Sequence, residues 1–169
     1  ALQEILGGKR PRAHPVVEAL ADAGLADEKF EDAIERAIDA AARPLYGEGF
    51  TGIDDLTEWL VMSEATFDGV AVSFLGGDEA LCAAAVKAGT AFALAREGES
   101  LAPAFANEIP ARVRSILNDT TAGLQNTPPE LAPALAHLSL TRRYLKRQRG
   151  SFPLAKRLLI FISIAFGRF

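Results

Sequence analysis

Apolar residues along the chain recur three and four positions apart, the spacing of one helix face, and no stretch alternates as a half-buried strand would. His14-Pro15 opens a short helix through Ala23, with proline at a tolerated first-turn position and Gly24 as its stop. Asp27 caps the next, striped by Phe30, Ile34, Ala37, Ile38 and Ala41 and ending before Pro44. A glycine-rich loop covers Tyr46 to Gly52. Thr51 then caps a long helix to about Leu75, with Leu56, Trp59, Leu60, Phe67, Val70, Ala71 and Phe74 on one side. Gly76-Gly77 ends it. Asp78 caps a helix to about Glu97 that is striped by Leu81, Ala85, Ala88 and Phe92. After an irregular stretch from Gly98 to Pro110, helices run from Ala111 to Leu124, from Pro128-Pro129 to Arg149, and onward from Phe152-Pro153. The pattern predicts seven helices, no strand and no internal repeat. Small-residue faces let helices approach closely, so the expected fold is all-α, a compact antiparallel bundle.

A length of 169 residues suits about one domain, and 49% hydrophobic content supplies a real core. One cysteine excludes a disulfide framework and a cysteine-based zinc cluster. A net charge of −4 argues against nucleic acid as a partner, since such binders are basic overall. The chain opens at Ala1 without the basic-then-apolar layout of a signal peptide, which points to a processed or partial chain.

Charge is unevenly spread. Residues 142–169 hold eight of the 18 Lys and Arg and none of the 22 Asp and Glu. On a helix, Arg142, Arg143, Lys146, Arg147 and Arg149 fall within an arc of about 160°, one basic face. Beyond Pro153, Leu158 to Phe166 is apolar except for Ser163, and a helix there is roughly 21 Å long, short of the ~30 Å hydrocarbon core. It cannot span a bilayer. Lys156 and Arg157 precede the apolar run, the layout of a segment held at headgroup level while Leu158, Phe161, Ile164 and Phe166 insert or meet a partner protein. Closing the bundle core is the competing use, although a bundle helix should keep a polar stripe. The expected organisation is a helical domain over 1–151 and a basic-apolar contact helix over 152–169.

Catalytic motifs are scarce. No Walker loop or dinucleotide fingerprint occurs, and Gly47, Gly49 and Gly52 lack the flanking strand of a phosphate cradle. His14 and His137 have no metal-ligand partner at the required spacing, and Cys82 has no nearby base to activate it. Asp54, Asp55 and Glu58 look like a magnesium-binding cluster, but first-turn carboxylates favour the positive helix end without any metal. Glu64 and Asp68 share a face and interrupt an apolar helix. Exposure beside the core stripe is the expectation for them. The alternative is that they point into the bundle and partner a cation.

Several stretches, in order, resemble the second half of the squalene/phytoene synthase family. They are His14 to Ala23, Phe30, Ile38-Asp39, Thr51 and Asp54-Asp55-Leu56 with Trp59, and then Leu75-Gly76. Ala88 to Ala91 with Arg96, Ile109-Pro110 and Leu138 to Arg147 continue the series. The resemblance implies the C-terminal part of an isoprenoid-synthase fold. Family synthases hold magnesium and prenyl diphosphate on two aspartate-rich motifs. The first would lie before Ala1, and the second falls on Glu97 and Leu101, with Phe105 and Ala106 where Gly-Arg would stand. Without those groups a buried diphosphate is prohibitively costly. No catalytic residue, metal or cofactor is therefore carried over.

The departures resemble the family's non-catalytic branch, which includes an assembly factor of respiratory complex I. That implies an accessory subunit or assembly factor whose partners are subunits of a membrane complex, with anionic lipid headgroups as a further contact. It would sit peripherally on the cytoplasmic face of a bacterial inner membrane or the matrix side of the mitochondrial one. Two rivals are a fragment of a magnesium-dependent prenyl-diphosphate transferase and a lipid or quinone carrier that keeps the ancestral cavity.

Overall fold

The computed structural model describes Pro15, Glu18, Asp22 and residues 28–125, 127–146 and 153–166, and these are all-helical with no strand. Helix α1 is Glu28–Leu45, α2 Ile53–Leu60, α3 Thr66–Phe74, α4 Glu79–Leu101 and α5 Ile109–Leu124. Short helices α6 (Ala132–Leu135) and α7 (Thr141–Lys146) follow, and α8 is Pro153–Phe166. The expected helix from His14 lies largely outside the described residues, as do its neighbour's cap Asp27 and the basic residues Arg147 and Arg149.

Helix α4 is the axle. The Asp78 carboxylate accepts from the Leu81 N–H at 2.7 Å and caps it, as the sequence predicts. Its residues Ala88 to Leu94 are buried without a break, so the helix is covered all round. Two core clusters meet on it, one through Ala91 and Leu94 with Leu56, Trp59 and Val113, the other through Ala88 and Phe92 with Val72, Leu135 and Leu138. Helices α2, α3, α5 and α7 all pack against it.

The long helix ending near Leu75 is not uniform. Between α2 and α3 the segment Val61–Ala65 is a π-turn, and the Thr66 hydroxyl donates to the Val61 carbonyl five residues back at 2.7 Å. One extra residue rotates everything after it by roughly 100°. The buried line therefore runs Leu56, Leu60, Ala65, Gly69, Val72, and the expected line through Phe67, Val70 and Phe74 is displaced, leaving Phe74 54% exposed. Gly76, at φ 88°, and Gly77 close the helix as expected.

Three further expectations change. Helix α1 buries Ala33 and Ala40, and Ile38 is 60% exposed because the close approach selects the small-residue side of the helix. Gly52, not Thr51, is the N-cap of α2, since the Thr51 side chain is engaged by Asp55. The helix expected from Pro128 is broken into 3₁₀ turns (Pro129–Leu131 and Ala136–Leu140) around α6. Pro133 lacks an N–H, and the hydroxyls of Ser139 and Thr141 donate three residues back, competing with helical bonding.

Candidate functional site

Two regions gather the chemistry. The first surrounds the π-turn. By adding a residue, it moves Asp68 into the angular position expected for Phe67, facing α4. The carboxylate lies over Gly89, where a Cβ would overlap it, so the approach requires glycine. Asp68 Oδ1 stands 3.3 Å from His137 Nε2 on the 3₁₀ segment Ala136–Leu140. One turn earlier Glu64 accepts from Arg96 at 2.6 Å, and Arg96 also holds Glu97 at 2.9 Å. Burial pushes the Glu64 carboxyl above its ordinary pKa against the pull of Arg96, and the neighbouring Glu97 pushes the same way as burial. Phe92 is the hub beneath. It packs edge-on against His137 and Tyr144, and the Arg96 guanidinium lies 5.1 Å from its ring. Both carboxylates are half-buried, between the exposure expected and the inward alternative, with Glu64 paired to Arg96 and Asp68 set against His137.

A similar commitment marks the start of α2. Arg43 donates twice to Asp55, at 2.6 and 2.7 Å, and once to the Gly49 carbonyl. Asp55 also accepts from the Thr51 N–H and hydroxyl, and Arg43 with these donors holds its carboxyl well below the usual range. Asp54 pairs with Arg112 at 2.7 Å. These first-turn acids join α2 to α1 and α5. Among the described residues no group of three His, Cys, Asp or Glu side chains is placed to hold a metal ion. Cys82 is half-buried against the second core cluster.

The second region is the C-terminal surface. Arg142, Arg143 and Lys146 are exposed on α7. Lys156 is half-buried, its ammonium 5.1 Å from the Tyr144 ring, which ties the start of α8 to α7. Arg157 is exposed, as are Leu158 at 60%, Phe161 at 69%, Ile162 and Ile164. Arg147, Arg149 and the side chain of Phe166 lie outside the described residues. The opposite side of α8 packs through Ala155, Leu159 and Ile160 onto the second cluster, and buried Ser163 donates to the Leu159 carbonyl at 2.9 Å. Core closure and surface display, rivals in the sequence, are divided between the two sides of one helix. No helix among the described residues is long and apolar enough to cross a membrane.

Sequence reasoning missed Ile162 as part of the bare face and the pairing of His137 with Asp68. Helical phase could have found the first. The second joins residues distant in sequence, and no local spacing encodes it.

Comparison with protein-family models, with curated proteins and with solved structures returns no match.

Proposed function

We propose that this protein works by contact rather than turnover, as an accessory subunit or assembly factor of a membrane respiratory complex, complex I first. In this reading it is a squalene/phytoene synthase-like protein of the non-catalytic branch. It is held peripherally at the cytoplasmic face of a bacterial inner membrane or the matrix side of the mitochondrial one. The observation that carries the reading is the bare apolar outer face of α8, in a C-terminal segment (residues 142–169) whose charged side chains are all cations. A contiguous exposed apolar surface is the mark of an interaction site.

The interior supports the same reading. Where a synthase would present its second aspartate-rich motif, Glu97 is paired with Arg96, and Leu101 and Phe105 pack against the first core cluster. Asp55, a member of the acidic cluster that looks like a magnesium site, is bound to Arg43, and Asp54 to Arg112. Recruiting these acids to a metal would break charge-assisted bonds that tie helices together.

The test is affinity purification of the full chain from detergent-solubilised native membranes, with identification of the proteins that accompany it. Subunits of a respiratory complex should co-purify. Their absence, or magnesium-dependent turnover of farnesyl or geranylgeranyl diphosphate by the purified protein, would overturn the proposal.

A further inference from the structure

We infer that the outer face of α8 docks directly on an anionic lipid bilayer, with the helix lying flat in the interface. This deepens the reading above and rests on its placement of the protein at a membrane.

Helix α8 has 14 residues, roughly 21 Å of length. Stepping 100° per residue puts Ile164, Arg157, Phe161, Ala165, Leu158 and Ile162 on an arc of about 160°. The packed residues Ala155, Leu159 and Ser163 fall on the other side, and packed Ile160 borders the arc next to Ile164. The bare arc is therefore fixed in direction by the body of the protein. Ser163, the one uncharged polar side chain of α8, is turned inward and bonded to the helix backbone, which keeps hydroxyls off the outer face. Arg157 is the one charge on the arc, and its long stem lets the guanidinium reach phosphate level while the helix stays among the acyl ends.

Charge selects lipid of negative sign and sets the orientation. Residues 142–169 carry eight cations and no acid, leaving 10 basic against 22 acidic side chains in the rest of the chain. An anionic surface attracts this segment and repels the remainder, which turns the α8 end toward it. Lys156 over Tyr144 keeps the basic helix next to the apolar one. The composition of the arc favours lipid over protein. It is aliphatic with one phenylalanine on a convex helix, and α8 contains none of the Trp, Tyr or Met that anchor protein interfaces. Aliphatic residues on one face with cations beside them are the pattern of interfacial helices.

Flotation of the full chain with protein-free vesicles tests the inference. One set is phosphatidylcholine alone, and the other is one part phosphatidylglycerol to two of phosphatidylcholine. Recovery should be at least about tenfold higher on the anionic vesicles and should fall with added salt. Phe161→Glu should lose about tenfold with an unchanged melting temperature, because the side chain touches solvent and not core. Leu158→Ser provides a second variant on the same face. Equal recovery on both vesicle types, or wild-type recovery by both variants, would overturn the inference. So would recovery on native membranes that protease pretreatment abolishes while vesicles stay bare, since the occupant would then be a protein. Co-purification of a respiratory complex without vesicle binding defeats this inference and leaves the proposed function standing. Vesicle binding without that complex does the reverse.

Discussion

Helices α4 and α8 both carry long apolar stretches, yet one is covered on every side from Ala88 to Leu94 and the other on one side only. The difference lies in side-chain size. Helix α4 uses Ala84, Ala85, Ala88, Ala91 and Ala93 with Gly89, and such a slim surface admits neighbours from all directions. Helix α8 carries Leu158, Leu159, Ile160, Phe161, Ile162 and Ile164, too bulky to be ringed closely by short segments, and only its Ala155, Leu159, Ile160 and Ser163 side finds a seat. Hydrophobicity alone does not tell a core helix from a presented one. Cover on the far side does.

The same truncation at the two helices gives the largest contrast. Leu94 is fully buried in the first core cluster. Leu94→Ala should cost about 2–5 kcal/mol, from lost transfer energy and the cavity left in a tightly packed surround. Urea denaturation measures it as a lower midpoint at constant slope. A cost under about 1 kcal/mol would mean that α4 is not the structural axle.

How far the chain could be read follows the same division. Regular period made α4, its Asp78 cap and the Pro153 start of α8 legible, since each depends on residues within a few positions. The π-turn at Val61–Ala65 was not, because an inserted residue leaves no mark in a pattern read at constant period. Missing it placed Phe74 inside and Asp68 in solvent. The breaks after Pro129 arise from Pro133 and two backbone-seeking hydroxyls, which a count of apolar spacing ignores. The cations of α7 and the apolar run of α8 were visible in composition. Which side of α8 stays bare is set by its seat on the Ala136–Leu140 segment and α6, a tertiary fact.

A smaller effect separates charged interior from bare exterior. Glu64 has its pKa raised by burial, opposed by Arg96 and reinforced by Glu97. For a group whose folded pKa lies above its unfolded one, the stabilisation is complete below the unfolded value. It is lost as pH rises through the folded value. Wild type should therefore lose stability relative to Glu64→Gln between acid and neutral pH, by less than the Leu94 cavity costs. Paired denaturation curves across that range measure the difference. A gap that stays flat would place Glu64 in solvent, and one that widens in favour of wild type would mean that the Arg96 ion pair outweighs burial. The Arg43–Asp55 corner has the opposite sign, since its depressed carboxyl pKa removes stability as pH falls.

The smallest expected change in stability belongs to the outer face of α8. Leu158→Ala removes the same atoms as Leu94→Ala, but from a side chain that is 60% exposed. Little buried area disappears and no cavity forms, so the free energy of unfolding should move by no more than about 0.5 kcal/mol. Binding to anionic vesicles should weaken in the same variant, because the lost methyl groups are those that would enter the acyl boundary. Dissociation of the two readouts is the point of the comparison. A residue that stabilises the fold loses stability when shortened, and one that meets a membrane loses only the membrane. If Leu158→Ala instead destabilised the chain by as much as Leu94→Ala, the outer face would be packed in solution, and α8 would belong to the core on both sides.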